Sequence, residues 1–122
     1  MAVNAVVWFE IYVQDTARAR AFYESVLATH LERIESGIEM WAFPARSGDA
    51  GAAGALVHYE GYPSGGNSTL VYFGCDDCAV EAARAAAHGG KIFKDKFSIG
   101  PHGFIALVTD TEGNMIGLHS MK

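Results

Sequence analysis

The chain has 122 residues, half of them apolar and 11% aromatic, with 9 Lys and Arg against 14 Asp and Glu for a net charge of −5. That is enough chain for one domain with a core, and it argues against a disordered protein. The acidic balance and the scatter of the basic residues argue against nucleic acid as a partner, because phosphate binding needs clustered Lys and Arg.

The predicted elements fall into two similar halves. Residues 6–13 alternate as a strand with unlike faces, Val7, Phe9, Ile11 and Val13 on the apolar side and Trp8, Glu10 and Tyr12 on a larger, mixed side. Asp15 stands where a helix N-cap belongs, and Ala19, Phe22, Tyr23, Val26 and Leu27 then recur at helical spacing. Strands are expected over residues 30–35 and 38–44, around a Ser36-Gly37 turn, and over 55–60. Residues 47–54 read as a flexible loop and 61–67 as a Gly/Ser linker.

The second half repeats this order: a strand over 69–75, Asp77 as a cap, a helix over 78–88 and strands over 91–98, 104–109 and 115–121. Ala79, Val80, Ala83, Ala86 and Ala87 are expected to form the helix face against the sheet, and Gly89-Gly90 to end the helix. The three lysines of 91–98 suit the solvated side of an edge strand. A repeat of about sixty residues implies two half-domains with a groove between them. The expectation is a single α+β domain over 1–122, built from two tandem βαβββ modules at about 4–60 and 67–121. No basic residue stands in the first five and no apolar run nears the ~20 residues of a membrane span. A cytoplasmic protein with no membrane partner is therefore expected, and two cysteines suit that compartment.

Val13-Gln14-Asp15 leading into Ala21-Phe22-Tyr23-Glu24-Ser25-Val26-Leu27 is similar to a "V-x-D … F-Y-x-x-x-L" opening, and Asp110-Thr111-Glu112-Gly113-Asn114-Met115-Ile116 to a "D-x-x-G-N-x-I" closing. In these motifs and their order the chain resembles the vicinal oxygen chelate superfamily, which holds glyoxalase I, bleomycin and fosfomycin resistance proteins and extradiol dioxygenases. The resemblance implies paired βαβββ modules curled as mixed sheet around a cavity, and a homodimer. It also implies, in metal-using members, a divalent ion held from the first and last strands of each module. The corresponding positions here carry Trp8, Leu70, Gly117 and the stretch around Ala55, none with a donor atom for such an ion. No cofactor is therefore expected, and a divalent metal is the disfavoured alternative.

By strand alternation Trp8, Glu10 and Tyr12, with Tyr72, Gly117 and His119, are expected to line an aromatic ligand site. The leading function is metal-free binding of a small molecule. The alternative is a lyase or isomerase acting on a small carbonyl compound, with Glu10 and His119 as its acid–base pair, the carboxylate partly desolvated among aromatic rings. A relocated metal site at Glu10 and His119 wants a third ligand from His58, Tyr59 or His102, and none is evident. Cys75 and Cys78 have redox-pair spacing, but two aspartates lie between them and no second pair exists, so they read as ordinary core thiols.

Overall fold

A computed structural model describes residues 4–46 and 48–122; Ser47 of the expected 47–54 loop and the first three residues lie outside the described residues. Module one runs β1 (Trp8–Tyr12), α1 (Thr16–Val26), β2 (Glu32–Glu35), β3 (Glu39–Ala42) and β4 (Ala53–His58). Module two runs β5 (Tyr72–Gly74), α2 (Cys78–Ala87), β6 (Lys91–Ser98), β7 (Phe104–Thr109) and β8 (Met115–Ser120). A 3₁₀ turn, Gly100–His102, joins β6 to β7. The sheets take the orders β1-β4-β3-β2 and β5-β8-β7-β6. In each, the first strand pairs parallel with the last and the other pairs are antiparallel. This is the expected pair of βαβββ modules, as two mixed four-stranded sheets.

The same chemistry starts both helices. The carboxylate of Asp15 accepts the Arg18 N–H at 3.0 Å, and that of Asp77 accepts the Ala79 N–H at 3.1 Å. Each satisfies a donor that a helix start leaves orphaned. Gly89, at φ +96°, ends the second helix in a conformation that side chains resist.

Phe9 and Ile11 of β1, and Val13 just after it, turn toward the helices, as expected, but Val7 precedes the strand and is exposed. The buried face of α2 is Cys78, Ala82 and Ala85; the expected stripe of Ala79, Val80, Ala83, Ala86 and Ala87 faces outward. An alanine-rich helix offers two stripes of similar apolarity, so pattern alone cannot set its rotation. A tertiary bond sets it: the Cys78 N–H donates to Ser120 Oγ at 3.0 Å, fixing the first turn of α2 to the end of β8.

The two modules share one core. Phe22, Tyr23 and Leu56 of the first are buried in the same cluster as Ala85, Val108 and Leu118 of the second. Phe9 and Phe73 meet edge to face across the seam, with ring centres 6.0 Å apart. Each sheet thus buries its helix-covered face in the shared core. On the other face of the first sheet Met40, Ala55 and Val57 form a small buried cluster beneath Tyr12, Ile34 and Ile38, while Trp8 and Glu10 stay exposed.

Candidate functional site

The open face of the first sheet is set by strand register. Trp8, Glu10 and Tyr12 lie beside Ala53, Ala55 and Val57 of β4, and Val57 and Ala55 beside Met40 and Ala42 of β3. Small residues on β4 leave room above the strand, and the larger side chains of β1 lean into it. Trp8 Nε1 donates to one oxygen of Glu10 at 3.1 Å, and the Tyr12 hydroxyl donates to the other at 2.8 Å. The three side chains share one face, as alternation predicted, and form one hydrogen-bonded unit. Glu10 is exposed rather than desolvated. The Tyr12 phenol is pushed up to about 12, first by its hydrogen bond to Glu10, then by burial and by the Glu10 charge, so it remains a neutral donor.

The 61–67 segment contributes more than linker composition suggested. Tyr62 stacks on Tyr12 with ring centres 5.3 Å apart, and Tyr59 meets Tyr62 edge-on at 5.1 Å. Gln14 Nε2 donates to the Tyr62 carbonyl, the Ser64 hydroxyl to the Glu112 carbonyl at 2.6 Å, and the Gly65 N–H to Asn114 Oδ1 at 2.6 Å. Sequence reasoning missed Tyr62; an aromatic beside a proline in a Gly/Ser stretch was the available signal. Between this segment and β1 lies a hollow of about 250 Å³, lined by Glu10, Tyr12, Gly65, Asn67, Thr69 and Met115 among others.

The second sheet's open face carries the other predicted residues. Tyr72 is paired with Gly117, and Gly74 with His119. The Tyr72 ring lies over Gly117 so closely that a Cβ there would stand 2.3 Å from it. Tyr72 and His119 line a hollow with Ile99 and Ile105. His119 Nε2 donates to the His102 carbonyl at 2.7 Å; a carbonyl can only accept, so Nε2 carries the hydrogen. His102 thus acts through its backbone. Within one chain Glu10 and His119 line separate hollows, and no hydrogen bond joins them.

His58 Nδ1 lies 3.0 Å from the Val13 carbonyl and serves the strand end. Cys78 is buried, and the Cys75 thiol is pushed up to about 12 by burial and then by the nearby Glu81 charge. Neither is a ready nucleophile.

Residues 5–118 match the model of the Glyoxalase/Bleomycin resistance protein/Dioxygenase superfamily. The chain belongs to that superfamily. A putative glyoxylase, CFP32, from Mycobacterium tuberculosis (strain CDC 1551 / Oshkosh) is 30% identical over 110 residues, covering 90% of this chain and 41% of that protein. The chain therefore spans well under half the length of this curated relative. Among solved structures, TnmS3, an antibiotic binding protein from Streptomyces sp. CB03234, is 27% identical over 98% of both chains with a TM-score of 0.70. A glyoxalase/bleomycin resistance protein from the same organism is 26% identical over 95% of this chain and 100% of that one, with a TM-score of 0.69.

Metal-using members of this glyoxalase-type superfamily supply a test of the site. By the resemblance, the ligand positions fall at Trp8, Leu70, Gly117 and the stretch near Ala55 to Val57, none of which offers a donor. The Tyr72 ring fills the space that a side chain at 117 would need. No group of three or more His, Cys, Asp or Glu is placed to hold an ion among the described residues. The residues at those positions do not fit the family's ion. No helix among the described residues is long and apolar enough to cross a membrane.

Proposed function

We propose that this chain binds a small planar aromatic molecule without a metal ion, on the open sheet face carrying Trp8, Glu10 and Tyr12. The observation that carries the reading is the aromatic surface itself: Trp8 and Tyr12 fixed by one carboxylate, with Tyr62 stacked on Tyr12. Flat rings offer large contact area at little entropic cost. The 27% identity to TnmS3, described as an antibiotic binding protein, supports the same class of activity.

A homodimer completes the site in this reading. Trp8 and Tyr72 remain 40% and 48% exposed on the two open faces. A second copy would cover them and bring a Tyr72, Gly117 and His119 face opposite Glu10. The lyase or isomerase reading needs Glu10 and His119 on one substrate. A single chain holds them at separate hollows, so that reading depends wholly on the second copy, whereas the Trp8, Glu10 and Tyr12 surface stands within one chain.

The test is calorimetric titration with 9-anthracenemethanol, a neutral planar probe, with and without EDTA. Saturable binding unchanged by EDTA, and weakened about tenfold by Trp8→Ala, is expected. Loss of binding on metal removal, or indifference to Trp8→Ala, would overturn the reading.

A further inference from the structure

We infer that the ligand of this face is an organic cation, a planar ring system bearing a protonated amine on a short arm, and that Glu10 receives the amine. The inference rests on the reading of this face as a binding surface and adds the charge of what it binds.

Glu10 is the one charged side chain lining the hollow between β1 and the 61–67 segment, among the described residues. The other lining groups are neutral: the Tyr12 phenol, the Asn67 and Asn114 amides, the Ser64, Ser68 and Thr69 hydroxyls and apolar or glycine residues. No Lys, Arg or His stands within ion-pair distance of Glu10 among the described residues. A carboxylate has about four acceptor positions. Trp8 and Tyr12 each donate to one oxygen, which leaves acceptor capacity on both.

Both donors are neutral, so they orient the carboxylate without cancelling its charge. The register of the sheet adds a second acid to the same open face, Glu32, opposite Ala42 on β2. The strand positions of that face carry no base. In the hollow at Glu10 an anion would meet a carboxylate with no base among the lining residues, while Arg46, paired with Asp49, and His30 line the neighbouring hollow with Trp8 and Glu32. A neutral ring would gain stacking alone. An aryl-alkylammonium gains both the ring surface and a charge-assisted hydrogen bond.

Three probes with one ring system separate the terms: 9-(aminomethyl)anthracene as the cation, 9-anthracenemethanol as the neutral form and 9-anthracenecarboxylate as the anion. The amine is expected to bind at least tenfold more tightly than the alcohol at pH 7, and the carboxylate more weakly than either. Glu10→Gln should remove the preference for the amine over the alcohol. Glutamine keeps the shape but only one of the two acceptor oxygens that hold Trp8 and Tyr12, so the ratio of the two affinities is the readout. Raising NaCl to 0.5 M should weaken the amine alone, as screening predicts. If Glu10 only positions Trp8 and Tyr12, Glu10→Gln moves all three probes together and the inference falls. Equal binding of the three by the unmodified protein sinks the charge assignment and leaves the aromatic reading standing. Binding of none sinks both.

Discussion

Arg18 and Glu112, 94 residues apart in the sequence, meet with Nε and Oε2 at 2.7 Å, and the Glu112 side chain is wholly covered. The same carboxylate accepts the N–H groups of Gln14 and Asp15, at 2.9 and 3.0 Å, and the Thr111 hydroxyl. One acid from the β7–β8 turn thus holds the entry to α1. Asp110, in the same turn, accepts the hydroxyl of buried Tyr23 at 2.6 Å. The modules are joined by this polar node as well as by their common core.

Stability should fall in acid because of Glu112. Burial alone would raise its carboxyl; the Arg18 guanidinium, the two backbone N–H groups and Thr111 outweigh burial and bring it from 4.5 to about 2. A folded value below the unfolded one gives stability that is full above about 4.5 and disappears as pH falls through about 2. Urea midpoints for the unmodified protein should therefore decline across that window. Glu112→Gln should lose ~2–3 kcal/mol at pH 7, the scale of hydrogen bonds to a charged group, and show a flatter acid limb. An equally steep acid limb in the variant would place the effect elsewhere.

Much of this was legible in the sequence and some was not, for identifiable reasons. The strand face of Trp8, Glu10 and Tyr12 was readable because period-two alternation survives any tertiary context. Asp15 and Asp77 were readable because capping is local chemistry. The Arg18–Glu112 pair left no sequence signal, since an exposed helix arginine and a turn glutamate look alike whether they meet or not. The rotation of α2 was misread because alanines on every side make its pattern degenerate, and Ser120 decides it from 42 residues away. Tyr62 was hidden by its neighbours' composition.

Two glycines should respond differently to the same methyl group. A Cβ at Gly54 would stand 2.3 Å from the Phe9 ring, and one at Gly117 would stand 2.3 Å from the Tyr72 ring. Phe9 is held against Phe43 and Phe73 in the seam, whereas Tyr72 is 48% exposed and can swing away. Gly54→Ala should thus cost about 1–3 kcal/mol, the range for overpacking, and Gly117→Ala less. In a Tyr72→Ala background the Gly117→Ala cost should vanish. Denaturant midpoints of the unmodified protein and the four variants check this, and equal costs at the two sites would contradict the packing argument.

Neither cysteine should label in the folded protein. Burial, then the Glu81 charge, keep the Cys75 thiol protonated up to about 12, and Cys78 has no exposed surface. Iodoacetamide at pH 8 should modify both only after urea is added, as read by intact mass. Rapid single labelling of the native protein would show that the Cys75 environment is more open than its packing indicates.

Tyr12 and Tyr23 should both resist ionisation, for separable reasons. Tyr12 is raised to about 12 first by its hydrogen bond to Glu10, whereas Tyr23 is raised well above 10 first by burial and then by the Asp110 charge. Carbon-13 labelling at tyrosine Cζ resolves each ring by NMR during a titration. Glu10→Gln removes the charge and weakens the acceptor, so the Tyr12 midpoint should drop toward 10 while Tyr23 holds. Asp110→Asn should move Tyr23 and leave Tyr12. If Tyr12 titrates at the same pH with and without the Glu10 charge, the 2.8 Å bond does not govern it. The result also bears on ligand binding. A Tyr12 that stays protonated through neutral pH means that a change in cation affinity on replacing Glu10 does not come from ionisation of Tyr12.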